Sequence, residues 1–257
     1  MTMANEYGSR VLRKDMNGPD VVELQIRLAG FRGTLPDGDF GSGTELQVQK
    51  FQQDVMGMAQ PTRVVDRATF EAIDAFAQKY PIDFEALRCP CGHCSGFGNG
   101  RFRDTYVPGG EGREQFNHYE YPGIHRLLLW AVRAVFHDLP EHRFSFSSGY
   151  RCSIDNQQRG RTTTNHRGKA VDLDIALQPG ESKRDDAEKC NAVRGRIVEL
   201  SNAQVGWAAR NRKSLEPPDI APTWVHYDVR QYDRIYLADD FFCRDLAGLN
   251  RLTPITC

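Results

Sequence analysis

Asn165-His166-Arg167-Gly168-Lys169-Ala170-Val171-Asp172 is the stretch on which the fold of the second half of the chain turns. Two segments belong with it: Ser148-Gly149-Tyr150-Arg151 upstream and Trp224-Val225-His226-Tyr227-Asp228 downstream. From Ala170 to Ile175 the residues alternate, so Val171, Leu173 and Ile175 share one strand face and Asp172 and Asp174 share the other. Trp224 to Val229 alternates in the same way, with Val225, Tyr227 and Val229 opposite Trp224, His226 and Asp228. Each strand can therefore bury one face and present polar groups on the other. Two imidazoles and a carboxylate, His166, Asp172 and His226, suit a catalytic zinc ion that keeps one coordination position open. Arg151 would supply positive charge beside that metal.

Outward from these segments, Pro122 suits the first turn of a helix running to about Phe136, with Ile124, Leu127, Leu128, Ala131 and Val135 on its apolar face. Phe144-Ser145-Phe146 reads as a short strand and the polar stretch from Asn156 to Asn165 as a loop. Cys190, Val193, Ile197 and Leu200 carry helical spacing in a segment from about Arg184 to Leu200. Val205-Gly206-Trp207 can begin another strand, and the polar, proline-containing residues 208 to 223 suit a loop. His118, His125, His137 and His142 stand outside any motif and read as structural or exposed.

The first unit, residues 8 to 79, reads as three short helices around a small core. Val21, Leu24 and Leu28 mark the first, with Asp20 as its expected N-cap, Glu23 completing a capping box and Gly30 ending it. Pro36-Asp37-Gly38-Asp39-Phe40-Gly41 is a turn. Thr44, Val48 and Phe51 give a second helix from about Ser42, and Phe70, Ile73 and Phe76 a third from about Asp66.

Residues 80 to 118 read as a cysteine- and glycine-rich linker, with a loop expected at Gly109, Gly110 and Gly112. Cys89, Cys91, His93 and Cys94 lie within six residues. Disulfides, a local metal site, or neither fit that spacing. Cys152 reads as a buried thiol or half of a disulfide rather than a nucleophile, because no histidine is clearly paired with it. The chain has seven cysteines, so complete intrachain pairing leaves one over.

Hydrophobic residues make up 40% and charged residues 26% of the 257, which points to packed cores rather than disorder. A formal net charge of -1 gives no support to a general nucleic-acid binder. The run Leu127-Leu128-Leu129-Trp130-Ala131-Val132 is far short of a membrane span, and the N-terminal residues lack the apolar core of a secretory signal. Membrane insertion is not expected.

Gly18-Pro19-Asp20-Val21-Val22, Leu24-Gln25, Asp37-Gly38-Asp39-Phe40-Gly41, Phe51-Gln52 and Val65-Asp66 together resemble the small peptidoglycan-binding domains. That resemblance implies a three-helix fold that binds cell-wall glycan or stem peptide. The three segments of the second half, Ser148-Gly149-Tyr150-Arg151, His166 through Asp172, and Trp224-Val225-His226, resemble the zinc D,D-peptidases of the D-alanyl-D-alanine carboxypeptidase, phage endolysin and murein endopeptidase type. This resemblance implies zinc ligation by His166, Asp172 and His226. It implies that Arg151 contacts substrate or stabilises the reacting carbonyl oxygen.

The sequence departs from that family twice. Gly168 comes two positions after His166, one residue earlier than usual, which requires a reshaped loop and leaves Asp174 as a fallback ligand. Thr223 stands where members with a carboxylate general base often carry it, so the base is expected elsewhere: at Asp228, with Glu216 and Asp219 as loop alternatives. Asp228 could equally orient an imidazole.

The expectation is an α+β architecture: a zinc peptidase domain over residues 119 to 257 with a small antiparallel sheet, preceded by the three-helix peptidoglycan-binding domain. The expected activity is zinc-dependent hydrolysis of peptide bonds in peptidoglycan stem peptides or cross-links, with D,D or L,D preference open. The alternatives are a non-catalytic wall-binding protein and an N-acetylmuramoyl-L-alanine amidase. Action in the periplasm or on the wall without a signal sequence would need holin-dependent release, as for a phage lysin, or a specialised secretion machine, as for a toxin with an immunity protein as partner.

Overall fold

Three helices built on the N-terminal apolar pattern come first: α1 (Pro19–Arg27), α2 (Ser42–Asp54) and α3 (Arg67–Lys79). This computed structural model describes residues 6–99, 119–207 and 209–251; the expected glycine loop at 109–112, His118 and Cys257 lie outside them. Phe31, Phe51 and Phe76 meet edge to face with ring centroids 5.1 to 5.9 Å apart, a geometry that adds to the burial of their area. The motif glutamines hold turns. Gln25 Nε2 donates to Asp37 Oδ1, Thr44 Oγ1 and the Asp39 carbonyl, while its Oε1 accepts from Gly38 N. Gln52 does the same for the 62–64 turn, donating to the Val64 carbonyl and accepting from Arg63 N.

The start of α1 differs from the expected capping box. Gly18 is the N-cap and makes no side-chain cap bond. Asp20 accepts instead from Arg10 Nε and Nη2. Glu23 is drawn away by charge: it is fully buried and takes a two-pronged ion pair from Arg126, at 2.6 and 2.8 Å, plus a bond from Arg27 Nε at 2.8 Å. Gly30 lies two residues beyond the Leu28 C-cap and serves packing, since a Cβ there would lie 2.2 Å from the Ala134 side chain.

The second half begins with a two-residue strand, β1 (Ile124–His125), leading into α4 (Arg126–Asp138). The expected start at Pro122 is too early, because β1 pairs with β7 (Phe242–Cys243) and Gly123, at φ 152°, lies against the Cys243 backbone. Next come β2 (Phe144–Ser148), α5 (Ser153–Gln158), β3 (Ala170–Ile175) and α6 (Lys183–Ser201). Then follow β4 (Gln204–Val205), β5 (Ser214–Leu215), β6 (Val225–Asp228) and, after β7, α7 (Leu246–Leu249). The helix α5 occupies the front of a stretch whose polarity reads as loop. Among the described residues no helix is long and apolar enough to cross a membrane.

The architecture is mixed α+β, with seven α-helices among the described residues. Five strands form one sheet in the order β2-β3-β6-β5-β4. Its pairs are antiparallel except at one edge, where β4 and β5 run parallel, so the expected antiparallel sheet is in fact mixed. The register puts Ser148 opposite Asp172 and Asp172 opposite His226, so the three sequence segments meet in one row across the strands. Val171, Leu173, Val225 and Tyr227 are fully buried, and α6 packs against β3, β6 and α4. The helix α1 packs on α4, where the buried Glu23–Arg126 pair joins the two halves of the chain.

Candidate metal and hydrolase site

Strand register delivers Asp172 and His226, and a tight turn delivers His166. Lys169 N donates to the Asn165 carbonyl at 2.9 Å, closing the turn that carries His166. Gly168 makes the shortened spacing workable: its φ is 113°, and a Cβ there would lie 2.4 Å from the Gly123 carbonyl oxygen.

His166, Asp172 and His226 are all buried, and one donor atom from each lies within 4.8 Å of the others. His166 Nδ1 lies 2.7 Å from the Gly149 carbonyl, an acceptor, so this nitrogen carries the proton. Burial disfavours a charged His166 and outweighs the pull of Asp172, so its pKa falls below the ordinary value. The Nε2 lone pair of the neutral ring then faces Asp172 Oδ2 at 3.3 Å. Asp172 Oδ2 is met by a cation already, Arg151, and the His166 Nε2 lone pair beside it is a donor position that a metal ion can take.

His226 presents Nδ1 to Asp172 Oδ1 at 2.7 Å and Nε2 to Asp228 Oδ2 at 3.0 Å. Burial opposes charge on this ring, but the two carboxylates outweigh it and lift its pKa to about 9. Burial would likewise raise the Asp172 carboxyl, and the two imidazoles override it and hold it well below the usual range. Both rings thus turn one nitrogen to the cluster while the other is held by a carbonyl or a carboxylate, the outer contact pattern that orients imidazole ligands of metals. Ligation by His226 requires the ring to give up the proton on the nitrogen facing the cluster, and with that proton gone two nitrogens and a carboxylate fit zinc.

Arg151 reaches the cluster from the end of β2. It donates Nη2 to Asp172 Oδ2 at 2.8 Å and Nε to Ser148 Oγ at 2.7 Å. Together with His166, Asp172 and His226 it lines an open cleft of about 520 Å³, to which Glu216, Thr223, Trp224 and Asp174 also contribute. Asp228 does not line that cleft. It is fully buried, and its carboxylate accepts from Arg230 N and Nε as well as facing His226. These contacts fit the orienting role that the sequence leaves open for Asp228 beside that of general base. Glu216 lines the cleft beside the cluster, its Oε1 lying 3.9 Å from His226 Nε2 and 3.3 Å from Arg230 Nη2. Asp174 lines the cleft but is not one of the clustered ligands.

A second group could also hold a metal ion: Cys89, Cys91, Cys94 and Cys152. His93 is exposed and does not join it, whereas Cys152 does. Among the described residues Cys89, Cys91, Cys94, Cys152, Cys190 and Cys243 are all free thiols, in contrast to the disulfides that the cysteine count suggests.

The family model described as "Putative peptidoglycan binding domain" matches residues 17–73. That span covers α1, α2 and the first half of α3, and it supports peptidoglycan binding and action at the cell wall. No curated protein matches the chain.

Proposed function

We propose that this chain is a zinc-dependent peptidase that engages bacterial peptidoglycan through its N-terminal helices and hydrolyses peptide bonds of the stem peptides or cross-links. The observation that carries this reading is the His166–Asp172–His226 cluster, above all the Nε2 lone pair of His166 aimed at the Asp172 carboxylate within a cleft. When bound there, zinc supplies Lewis acidity toward a carbonyl oxygen and lowers the pKa of water.

The remaining chemistry belongs to the chain. Glu216 accepts the proton released as water attacks and passes it to the leaving amine, and Arg230 positions its carboxylate. Arg151 offers its guanidinium where the scissile carbonyl oxygen gains negative charge. Gly149 and Asp228 hold the two imidazoles in orientation. Thr223 lines the cleft without a carboxylate, and in this reading Glu216 does the work that position often carries.

Thr223 also marks the competing reading, a wall-binding protein that has lost catalysis. Digestion of purified peptidoglycan, with product masses, separates the two and distinguishes peptide-bond cleavage from an amidase product. Defined peptide cleavage supports the peptidase; wall binding without any cleavage supports the competitor.

A further inference from the structure

We propose that Cys89, Cys91, Cys94 and Cys152 bind one zinc ion as a four-thiolate structural site that fastens the inter-helix linker to the turn carrying Arg151. The ligand atoms lie within 4.8 Å of one another. Cys91 Sγ and Cys152 Sγ are 3.6 Å apart, far longer than a disulfide bond of about 2.05 Å. A zinc–sulfur distance of about 2.3 Å sets a tetrahedron edge of about 3.8 Å, close to that separation.

The surrounding backbone is arranged for sulfur anions. His93 N donates to Cys91 Sγ at 3.3 Å, Gly96 N to Cys94 Sγ at 3.3 Å and Cys152 N to Cys89 Sγ at 3.4 Å. Three of the four sulfurs thus accept a main-chain N–H, which stabilises the thiolate a metal requires. Gly92 and Gly96 adopt φ of 70° and 94°, conformations that let the chain wrap around the sulfurs at each of the two turns. Four sulfurs and no oxygen or nitrogen donor select zinc or iron over harder cations, and zinc is the ion assigned to this site.

The site joins segments distant in sequence. Cys89 and its neighbours lie on the linker, whereas Cys152 directly follows Arg151. The two segments also meet through backbone: Tyr150 N donates to the Leu87 carbonyl at 2.7 Å, and a Cβ on Gly149 would lie 2.4 Å from that same oxygen. Gly149 is the residue whose carbonyl holds His166. A metal at the four sulfurs therefore fixes both Arg151 and the orientation of His166. The existence of this site is independent of the peptidase reading; only its effect on activity rests on it.

The test uses the full chain carrying His166→Ala and His226→Ala, which removes the other cluster, purified under reducing conditions. Elemental analysis is expected to find one zinc per chain, released when a mercurial reagent titrates the thiols. Cobalt substitution is expected to give a thiolate-to-metal charge-transfer band, which two imidazoles and a carboxylate do not produce. Adding Cys91→Ser and Cys94→Ser, at the partly exposed positions, should abolish both the zinc and the band. Circular dichroism checks that these variants keep their helices. Four freely reactive thiols without metal, a disulfide among the four in a non-reducing peptide map, or iron in place of zinc would overturn the proposal. Failure of the peptidase reading shows separately, as intact peptidoglycan with the unmutated chain.

Discussion

Asp172 and His226 stand directly opposite each other on β3 and β6, with Asp172 Oδ1 2.7 Å from His226 Nδ1. The same carboxylate meets His166 and Arg151 through its other oxygen, at 3.3 and 2.8 Å. Asp172→Asn keeps the shape and removes the anion that all three groups share. It is expected to abolish zinc binding at this cluster and to reduce peptidoglycan cleavage by more than the roughly 10–100-fold that changes outside the ligand set cost. Zinc content and product release, measured on the same preparation, check this.

In the proposed mechanism Glu216 and Asp228 divide the two roles a carboxylate can take here. Glu216→Gln is expected to lower the turnover of peptidoglycan fragments by about 10²–10⁴-fold while zinc stays bound. Asp228→Asn is expected to weaken zinc affinity or activity by about 10–100-fold, since it loosens the hold on His226. The reverse pattern, with Asp228→Asn removing turnover at full zinc occupancy, would return the general base to Asp228.

Arg151→Lys keeps the charge but not the guanidinium fork that spans Ser148 and Asp172. Its expected cost is about 10²–10³-fold in the rate of cleavage at saturating substrate. A kinetic series on a soluble muropeptide checks whether the loss falls on turnover rather than on the Michaelis constant.

The joint between α1 and α4 gives a stability prediction. Glu23 is fully buried between Arg126 and Arg27, so Glu23→Ala strands an equally buried Arg126. The expected destabilisation is about 3–5 kcal/mol, read from urea unfolding. Replacing Glu23 and Arg126 together by methionine should recover much of it, because the stranded Arg126 charge is then gone and Arg27 keeps its ion pair with Asp74.

Acid should weaken the fold through His125. Its Nε2 donates to the Tyr236 carbonyl at 2.9 Å, and its buried Nδ1 has no hydrogen-bond partner among the described residues. Burial depresses its pKa from 6.5 to about 4. The unfolded chain takes up a proton below about 6.5 and the folded chain only near 4. Stability is therefore complete above 6.5 and falls by about 3 kcal/mol as pH drops between these values. Glu23 acts in the same direction at lower pH. Burial alone would raise its pKa, but Arg126 and Arg27 hold it below 4.5, so its contribution fades as pH falls beneath that value. Unfolding midpoints at several pH values should show a flatter profile for His125→Gln between pH 6.5 and 4.

The legible parts of this fold are those with a local period. Alternation over Ala170–Ile175 and Trp224–Val229 fixes which side chains share a face, and strand register then needs only to align Asp172 with His226. Helical spacing finds α2, α3 and α6 to within a few residues. What stays hidden depends on partners far along the chain. Glu23 has the spacing of a capping-box residue, and only the proximity of Arg126 shows why it is buried instead. Cys152 reads as a buried thiol or half of a disulfide, and its place among the linker cysteines shows only once the linker is laid over Gly149 and Tyr150. Glu216 follows a two-residue strand that is too short to leave a periodic signal, so its place in the cleft has no local signature.

The most direct measurement is mass spectrometry of purified peptidoglycan after digestion by zinc-loaded protein, by chelated protein and by the His226→Ala variant in parallel. The account predicts defined peptide-bond cleavage by the first, loss of it in the other two, and recovery when zinc is returned to the chelated sample. An intact wall in every sample, with zinc measured at the His166–Asp172–His226 cluster of the zinc-loaded protein and that protein bound to the wall, would contradict it.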